Sequence, residues 1–296
     1  MRGLFEARVL AALEERAGRP LAQLFDLVAG TSTGGIVALG LTVAGHPATQ
    51  IAELYERHGP KIFHSTPIVT WVRQFFVSKF DRDGLDETLR EELGDARLSA
   101  ARTRTLVPAF SLAQRDIVWF DSSDRALPGE RVRTAPGDPL ARDVAAATSA
   151  APTVFEPAKV DGLDGEWLDG GVGADDPTPF AMALGLHDHR DEDVVVLSIG
   201  TGGFFPDYPK SLRGLIRVGL TLPDLLLYPT GLVAHDTADA LGQALGRVQL
   251  FRVSPDPARM PPIDDPSPTA IRRQNEEAAR IVALAETQAA FAALLA

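Results

Sequence analysis

The sequence has no cysteine, no long apolar run and a deficit of basic residues, and each of these absences excludes a class of protein. Without cysteine there are no disulfides and no thiolate ligands or nucleophiles, and a reducing compartment is compatible with this composition. Nowhere do about 18 apolar residues follow one another, so no membrane-spanning helix is predicted. With 29 Lys and Arg against 40 Asp and Glu, the net charge of −11 argues against a nucleic-acid partner, because phosphate binding requires clustered cations.

Composition and the N-terminal stretch favour an ordinary globular protein of the cytoplasm. Hydrophobic residues make up 45% of the chain and charged residues 23%, and 296 residues suffice for a large core. The first residues, MRGLFEARVLAALEERAG, carry scattered charges and no uninterrupted apolar segment, so a signal peptide is not predicted. The negative charge also disfavours electrostatic recruitment to an anionic membrane, but peripheral contact through apolar side chains stays open.

Helical and strand patterns alternate along the chain, which predicts an α/β fold. Helices are predicted over residues 4–16, 34–44, 49–58, 85–93 and 138–148, and strands over 25–29, 104–112, 116–121, 165–168 and 193–203. From Pro268 to the end, the pattern predicts one long amphipathic helix. We therefore expect one domain over residues 1–253, with a Pro-rich connector and a C-terminal helix over 254–296 packed on it.

The stretch FDLVAGTSTGGIVALG, residues 25–40, fits the G-x-S-x-G nucleophile elbow. The motif consists of Gly30, Thr31, Ser32, Thr33 and Gly34, and Gly35 follows it. A serine at such a strand-to-helix turn needs neighbouring glycines to relieve steric clashes, and the helix dipole points its positive end toward the serine. The motif alone is a weak signal, but the apolar strand before it and the apolar helix after it strengthen the prediction. A phosphate-binding loop is the competing interpretation, and its Gly-Lys-Ser/Thr ending is missing here.

A nucleophilic serine needs a base, and a carboxylate is the better candidate than any of the six histidines. An ordinary α/β-hydrolase lays down several strands before its elbow, whereas only about 30 residues precede Ser32. The histidines are interpreted as structural or solvated: His46, His58, His64, His187, His189 and His235. Asp169, in EWLDGGVGADDP, directly follows an apolar strand end, and Gly170 and Gly171 allow a sharp turn that leaves its carboxylate projecting. The alternative is a simple Asp-Gly turn.

Four blocks together resemble the patatin-like phospholipase family. They are FDLVAGTSTGGIVALGL (25–41), AATSAAPTVFEP (146–157), LDGGVGADDP (168–177) and VLSIGTG (196–202). The resemblance implies a three-layer α/β/α sandwich with a mostly parallel central sheet. It also implies a Ser32–Asp169 dyad with Ser32 as nucleophile and Asp169 as base, lipid acyl ester substrates, and no metal or other cofactor.

The chain departs from the family pattern in two places. Asp175 and Asp176 stand where the family has two asparagines. Their charge either raises the pKa of Asp169 or lies in a solvated loop, and we expect the loop. The family also carries a segment Asp-Gly-Gly-Gly-x-Arg-Gly that forms the oxyanion hole, and here Met1 falls on the variable position while Arg2 and Gly3 match the last two. We expect that the first strand and this loop are missing because the start was assigned at an internal methionine. A chain without them would be a poor catalyst.

Two apolar segments are candidates for lipid contact, with buried core as the alternative: residues 67–80 and 214–233. The dyad does not define the head group, so a carboxylesterase acting on other acyl esters stays open. A non-catalytic binding or regulatory protein stays open too, because of the missing oxyanion loop. Some bacterial members of the family are switched on by a signal molecule, and the segments 61–82 and 203–240 are candidates to receive a small-molecule activator.

Overall fold

The computed structural model describes residues 1–63, 80–123, 125, 127–203 and 215–296, with only the backbone for residues 215–229. The helices in these ranges are α1 (Gly3–Ala17), α2 (Thr33–Leu39), α3 (Ala48–Ile62), α4 (Asp83–Leu93), α5 (Ala141–Thr148), α6 (Gly171–Ala174), α7 (Thr178–Asp188), α8 (Leu215–Leu245), α9 (Pro268–Val282) and α10 (Ala285–Leu294). The strands are β1 (Leu27–Ala29), β2 (Arg104–Ser111), β3 (Asp116–Asp121), β4 (Arg133–Thr134), β5 (Trp167–Asp169), β6 (Val194–Ile199) and β7 (Val248–Val253).

Strand β2 organises the main sheet. Its first half pairs in parallel with β1, where Ala29 lies opposite Leu106, and its second half pairs antiparallel with β5, where Asp169 lies opposite Ala109. The change of partner occurs around Pro108, which has no N–H to donate to a neighbouring strand. On its other edge β2 pairs antiparallel with β3, which pairs in parallel with β4, and β6 and β7 form a separate parallel pair.

Helices cover both faces of this sheet because apolar residues alternate along its strands. On one face, Val107 and Phe120 pack in a core with residues of α4 and α5. On the other face, Leu106 and Trp119 pack with Leu184 of α7. The fold is therefore an α/β/α sandwich in which most strand pairings are parallel, as the sequence predicted.

The helix predicted over 49–58 is longer in the structure, where α3 continues past Gly59 to Ile62. Gly59 marks a close packing contact, because a Cβ there would lie 2.4 Å from the Met1 sulfur. The predicted tail helix is also wrong as a single element. It divides at Leu284, whose ψ of 141° is extended, into α9 and α10.

The break at Leu284 lets the two C-terminal helices pack on different partners. Helix α9 lies against α1, and α10 lies against β6 and β7. Arg8 of α1 donates a hydrogen bond to Asn275 of α9 over 3.0 Å. The C-terminal helices thus contact α1 and the β6–β7 pair, and the division of the chain into residues 1–253 and 254–296 stays a prediction.

Of the two segments proposed for lipid contact, one lies almost wholly outside the described residues. Residues 67–79 belong to that part, and residues 214–233 coincide with α8 from Leu215 onward. Within the described part of the chain, no helix is both long and apolar enough to cross a bilayer.

Candidate active site

Ser32 occupies the turn between β1 and α2 in a strained backbone conformation. Its φ of 55° and ψ of −121° are rarely adopted by a residue with a side chain, and such outliers cluster at active sites. Two of the neighbouring glycines, Gly30 and Gly35, are required because a side chain would not fit. A Cβ on Gly30 would lie 2.2 Å from the Gly34 carbonyl oxygen, and one on Gly35 would lie 2.8 Å from the Thr148 methyl group. At Gly34 the nearest atom is 3.7 Å away, so this glycine is not required for space.

The structure brings the two residues predicted as the dyad together across 137 positions of sequence. The Ser32 hydroxyl donates to Asp169 Oδ2 over 2.6 Å. Asp169 ends β5, and its Oδ1 accepts the Gly171 N–H at 2.8 Å, which fixes the carboxylate orientation. Gly170 sits against β2, where a Cβ would approach the Pro108 carbonyl oxygen to 2.3 Å. Gly170 and Gly171 therefore make the turn that aims Asp169 at Ser32.

Burial makes the Asp169 carboxylate more basic than an ordinary aspartate. Only 4% of the residue is exposed. Burial raises its pKa to about 6, while the hydrogen bonds from Ser32 and the Gly171 N–H oppose this by favouring the charged form. At neutral pH the carboxylate is mostly ionised and can accept a proton.

Thr148 supports the elbow and was not assigned a role from sequence. Its hydroxyl accepts the Ser32 N–H at 3.0 Å and donates to the Pro108 carbonyl at 2.7 Å, and the residue is fully buried. A second brace comes from Thr31, whose hydroxyl donates to the Ala174 carbonyl at 2.7 Å. Thr148 lies in the block AATSAAP, but no local pattern in that block identifies a partner more than 100 residues away.

Two cavities meet at Ser32. The larger, here called the cleft, has a volume of about 820 Å³ and lies between β1 and β6. Besides Ser32 and Asp169, it is lined by the titratable residues Glu6, Asp175 and Arg252, and burial raises the pKa of Glu6 to about 8. The smaller, here called the apolar cavity, has a volume of about 170 Å³ and lies between α2, α3 and α4.

Comparison with known proteins decides the family. A family model described as "Patatin-like phospholipase" matches residues 1–184. The chain belongs to the patatin-like phospholipase family. It is 36% identical over 210 residues to a cGAMP-activated phospholipase of Pseudomonas aeruginosa, an alignment that covers 68% of this chain and 59% of that protein.

Plant members of the patatin-like phospholipase family are similar as well. Patatin-like protein 2 of Oryza sativa subsp. indica is 33% identical over 245 residues, covering 68% of this chain and 58% of the relative. Patatin-03 of Solanum tuberosum is 29% identical over 220 residues, covering 65% and 54%. The chain therefore spans little more than half of the length of these relatives.

The two residues that match the end of the family's glycine-rich segment lie beside the elbow. Arg2 is buried and donates to the Pro261 carbonyl at 3.0 Å and to the Gly202 carbonyl. Gly3 begins α1 so close to the elbow that a Cβ would lie 2.3 Å from Thr33 Oγ1. Thr33 in turn shares a 2.6 Å hydrogen bond with the Tyr55 hydroxyl. Gly3 thus lets the start of α1 approach the serine turn, and Arg2 ties that start to the segments around Gly202 and Pro261.

The solvated loop that we expected at Asp175 and Asp176 is wrong for Asp176, whereas Asp175 is exposed. The Asp176 side chain is 7% exposed, accepts from Arg252 at 2.9 Å and caps the Thr178 N–H at 2.9 Å. Asp175 borders the cleft with much of its surface exposed, yet enclosure by the cleft walls and then the charges of Asp169 and Asp176 raise its pKa to about 7. The pKa of Asp169 itself is raised by burial.

Of the six histidines, His64 lies outside the described residues, and none of the other five hydrogen-bonds to the Ser32 hydroxyl. Among the described residues, Asp169 is the side chain that hydrogen-bonds to the Ser32 hydroxyl. His58 is buried beside Thr88, and His187 pairs with Asp188 at the surface. In the described part of the chain, no three His, Cys, Asp or Glu side chains are grouped to hold a metal ion. That the chemistry needs no metal or other cofactor stays a prediction.

Proposed function

We propose that this chain hydrolyses fatty-acyl esters of lipids through an acyl-enzyme, with Ser32 as nucleophile and Asp169 as base. The observation that carries the proposal is the 2.6 Å hydrogen bond from the Ser32 hydroxyl to a buried carboxylate with a pKa of about 6. The strained conformation of Ser32 and membership of the patatin-like phospholipase family support it.

In the first half-reaction, Asp169 Oδ2 accepts the Ser32 proton as the serine oxygen attacks the ester carbonyl. The resulting tetrahedral intermediate collapses when the alcohol leaves with the proton from Asp169, and the acyl group stays on Ser32. In the second half-reaction, Asp169 accepts a proton from water, the hydroxide attacks the acyl-enzyme, and the fatty acid departs as Ser32 regains its proton. Because the Gly171 N–H holds Oδ1, the same oxygen Oδ2 faces the serine in both steps.

The test is labelling with a fluorophosphonate probe, with the modified residue identified by mass spectrometry. We expect an adduct on Ser32 that is lost in Ser32→Ala and strongly slowed in Asp169→Asn. Asp175→Asn is the matched control, since this carboxylate lies nearby but does not bond to Ser32, and it should retain labelling. A folded chain that gives no adduct would favour the binding or regulatory alternative.

Two substrates separate the lipid hydrolase from the carboxylesterase. Fatty-acid release from phosphatidylcholine vesicles is expected for the lipid hydrolase, whereas a carboxylesterase would cleave only soluble esters such as p-nitrophenyl butyrate. Activity on vesicles with a Ser32 requirement would also fit the proposed peripheral action at a membrane surface. The proposal of a cytoplasmic location is separate and is tested by fractionation of the native host cell.

We also propose that a small molecule switches this activity. One relative is named a cGAMP-activated phospholipase, which supports the idea for this chain without identifying the activator. Labelling of Ser32 in the presence and absence of cGAMP tests the simplest case. An unchanged labelling rate would show that cGAMP does not activate this chain.

A further inference from the structure

The apolar cavity begins at the nucleophile and leads away from the cleft. Ser32 lines both spaces, so a group attached to its oxygen lies at their junction. The wall of the apolar cavity is formed mainly by aliphatic and aromatic side chains, and these include Ile36, Ile51, Leu54, Tyr55, Leu85 and Leu89. By contrast, the cleft presents Asp169, Asp175 and Arg252 near the same serine. The cleft also has apolar walls, formed by residues such as Leu184, Val196 and Leu232, but the apolar cavity is the space that surrounds an acyl chain almost wholly with apolar atoms.

The apolar cavity follows one face of the helical segment after the serine. Ser32, Ile36 and Gly40 all line it, and their spacing of four residues places them in one row. The seven residues of α2 between Ser32 and Gly40 rise about 10 Å at about 1.5 Å per residue. Gly40 packs closely against α3, because a Cβ there would approach the Ile51 side chain to 3.1 Å.

Polar groups close the far end. His46 Nε2 lies 3.2 Å from Glu92 Oε2, and both residues line the cavity. The buried His58 lies beside Thr88, with 3.4 Å between the ring Nδ1 and the hydroxyl. A methylene group that reaches these polar side chains gains little free energy of burial, because its new neighbours are polar atoms and not apolar ones.

We propose that the apolar cavity holds the carbonyl-proximal part of the acyl chain and measures its length, with a limit of about six carbons. The limit follows from volume, since a methylene occupies about the space of one water molecule, about 30 Å³, and the cavity holds about 170 Å³. The inference rests on the proposed function, since the acyl group must be bound to Ser32. Carbons beyond the limit lie outside the cavity and add little to recognition.

The experiment compares kcat/KM for p-nitrophenyl esters from acetate to dodecanoate. Burial of each methylene is expected to raise kcat/KM about fourfold up to about six carbons, after which the profile levels off or falls. A profile that is flat from acetate to octanoate would overturn the inference. So would one that rises without a break to dodecanoate.

A larger and a smaller side chain at Ile36 should shift the preferred ester length in opposite directions. Ile36→Phe fills the middle of the cavity and should lower kcat/KM for hexanoate at least tenfold relative to acetate. Ile36→Ala enlarges the cavity and should move the break to a longer ester. Leu112→Phe is the matched control, because this exposed residue lines neither cavity, and its profile should equal that of the parent chain. Equal profiles for all four chains would overturn the inference.

Fluorophosphonate labelling separates failure of this inference from failure of the proposed function. Labelling of Ser32 together with an unselective ester profile would leave the dyad in place and overturn only the acyl-length cavity. Absence of both labelling and ester hydrolysis on a folded chain would overturn the proposed function and this inference together. A profile with a break near six carbons that shifts in the Ile36 variants supports the inference.

Discussion

Replacing the buried carboxylate of the site should make the protein more stable, and by an amount that depends on pH. Burial raises the Asp169 pKa from 3.8 to about 6. Below pH 3.8 Asp169 is protonated in both the folded and the unfolded chain, so it does not make the free energy of unfolding depend on pH. As pH rises, the unfolded chain releases its proton first, and the folded chain then loses stability until the pH exceeds the folded pKa. The total loss is about 3 kcal/mol, because one pKa unit corresponds to about 1.4 kcal/mol.

The Asp169→Asn side chain does not titrate. Its shape is close to that of aspartate, so it can still hydrogen-bond to Ser32 and to the Gly171 N–H. Its free energy of unfolding relative to the parent chain should therefore increase with pH, by about 2 kcal/mol between pH 4.5 and pH 8. Urea unfolding followed by circular dichroism at several pH values measures the difference. A difference that stays constant over this range would refute the reasoning, because the carboxylate would then not be the buried titrating group. In the parent chain, hydrolytic activity should rise with pH through about 6, as the base becomes ionised.

Three other substitutions have expected outcomes. Gly30→Ala should abolish Ser32 labelling and reduce folded yield, because its Cβ would lie 2.2 Å from a backbone oxygen, whereas Gly34→Ala, with 3.7 Å to its nearest atom, should retain both. Arg252→Gln should lower the free energy of unfolding in urea by about 1–3 kcal/mol, because it leaves the Asp176 carboxylate without its cation. The control is Arg133→Gln, which removes an exposed ion pair of 3.9 Å to Asp116 and should change the same free energy by less than about 1 kcal/mol. Thr148→Val should lower the free energy of unfolding by about 2 kcal/mol and slow labelling of Ser32 by the probe. The reason is that the Thr148 hydroxyl makes two buried hydrogen bonds, to the Ser32 N–H and the Pro108 carbonyl.

The sequence predicted the parts of the site that depend on local chain geometry. A strand, a glycine-flanked serine and a helix are adjacent in the chain, so the elbow at Ser32 follows from about 16 residues of pattern. The turn at Asp169 was likewise signalled by its two following glycines. The pairing of these two residues came from the family resemblance, because no local pattern joins positions 137 residues apart.

The parts that were missed or wrongly predicted depend on contacts distant in sequence. At Asp176 the expected solvated loop is instead an ion pair, because Arg252, on a strand 76 residues later, reaches the carboxylate. The tail was predicted as one helix because its apolar pattern continues through Leu284. The helix ends there because α9 and α10 pack on different elements. The apolar cavity had no sequence signal, since its walls come from three separate helices.

Ser32 and Asp169 follow or end two strands that both pair with β2, and this shared partner has a consequence for insertions and deletions. β1 pairs with β2 up to Leu106, and β5 pairs with it from Ala109 onward. An added or deleted residue between these two positions would move nucleophile and base relative to each other by about 3.3 Å and reverse the faces of the following side chains. After such a displacement Ser32 and Asp169 would be too far apart to form their hydrogen bond. Length changes in the β2–β3 turn, around Leu112, leave that separation unchanged. Length variation among homologues with this site should therefore be strongly suppressed over two residues of β2, Val107 and Pro108, and tolerated a few positions later.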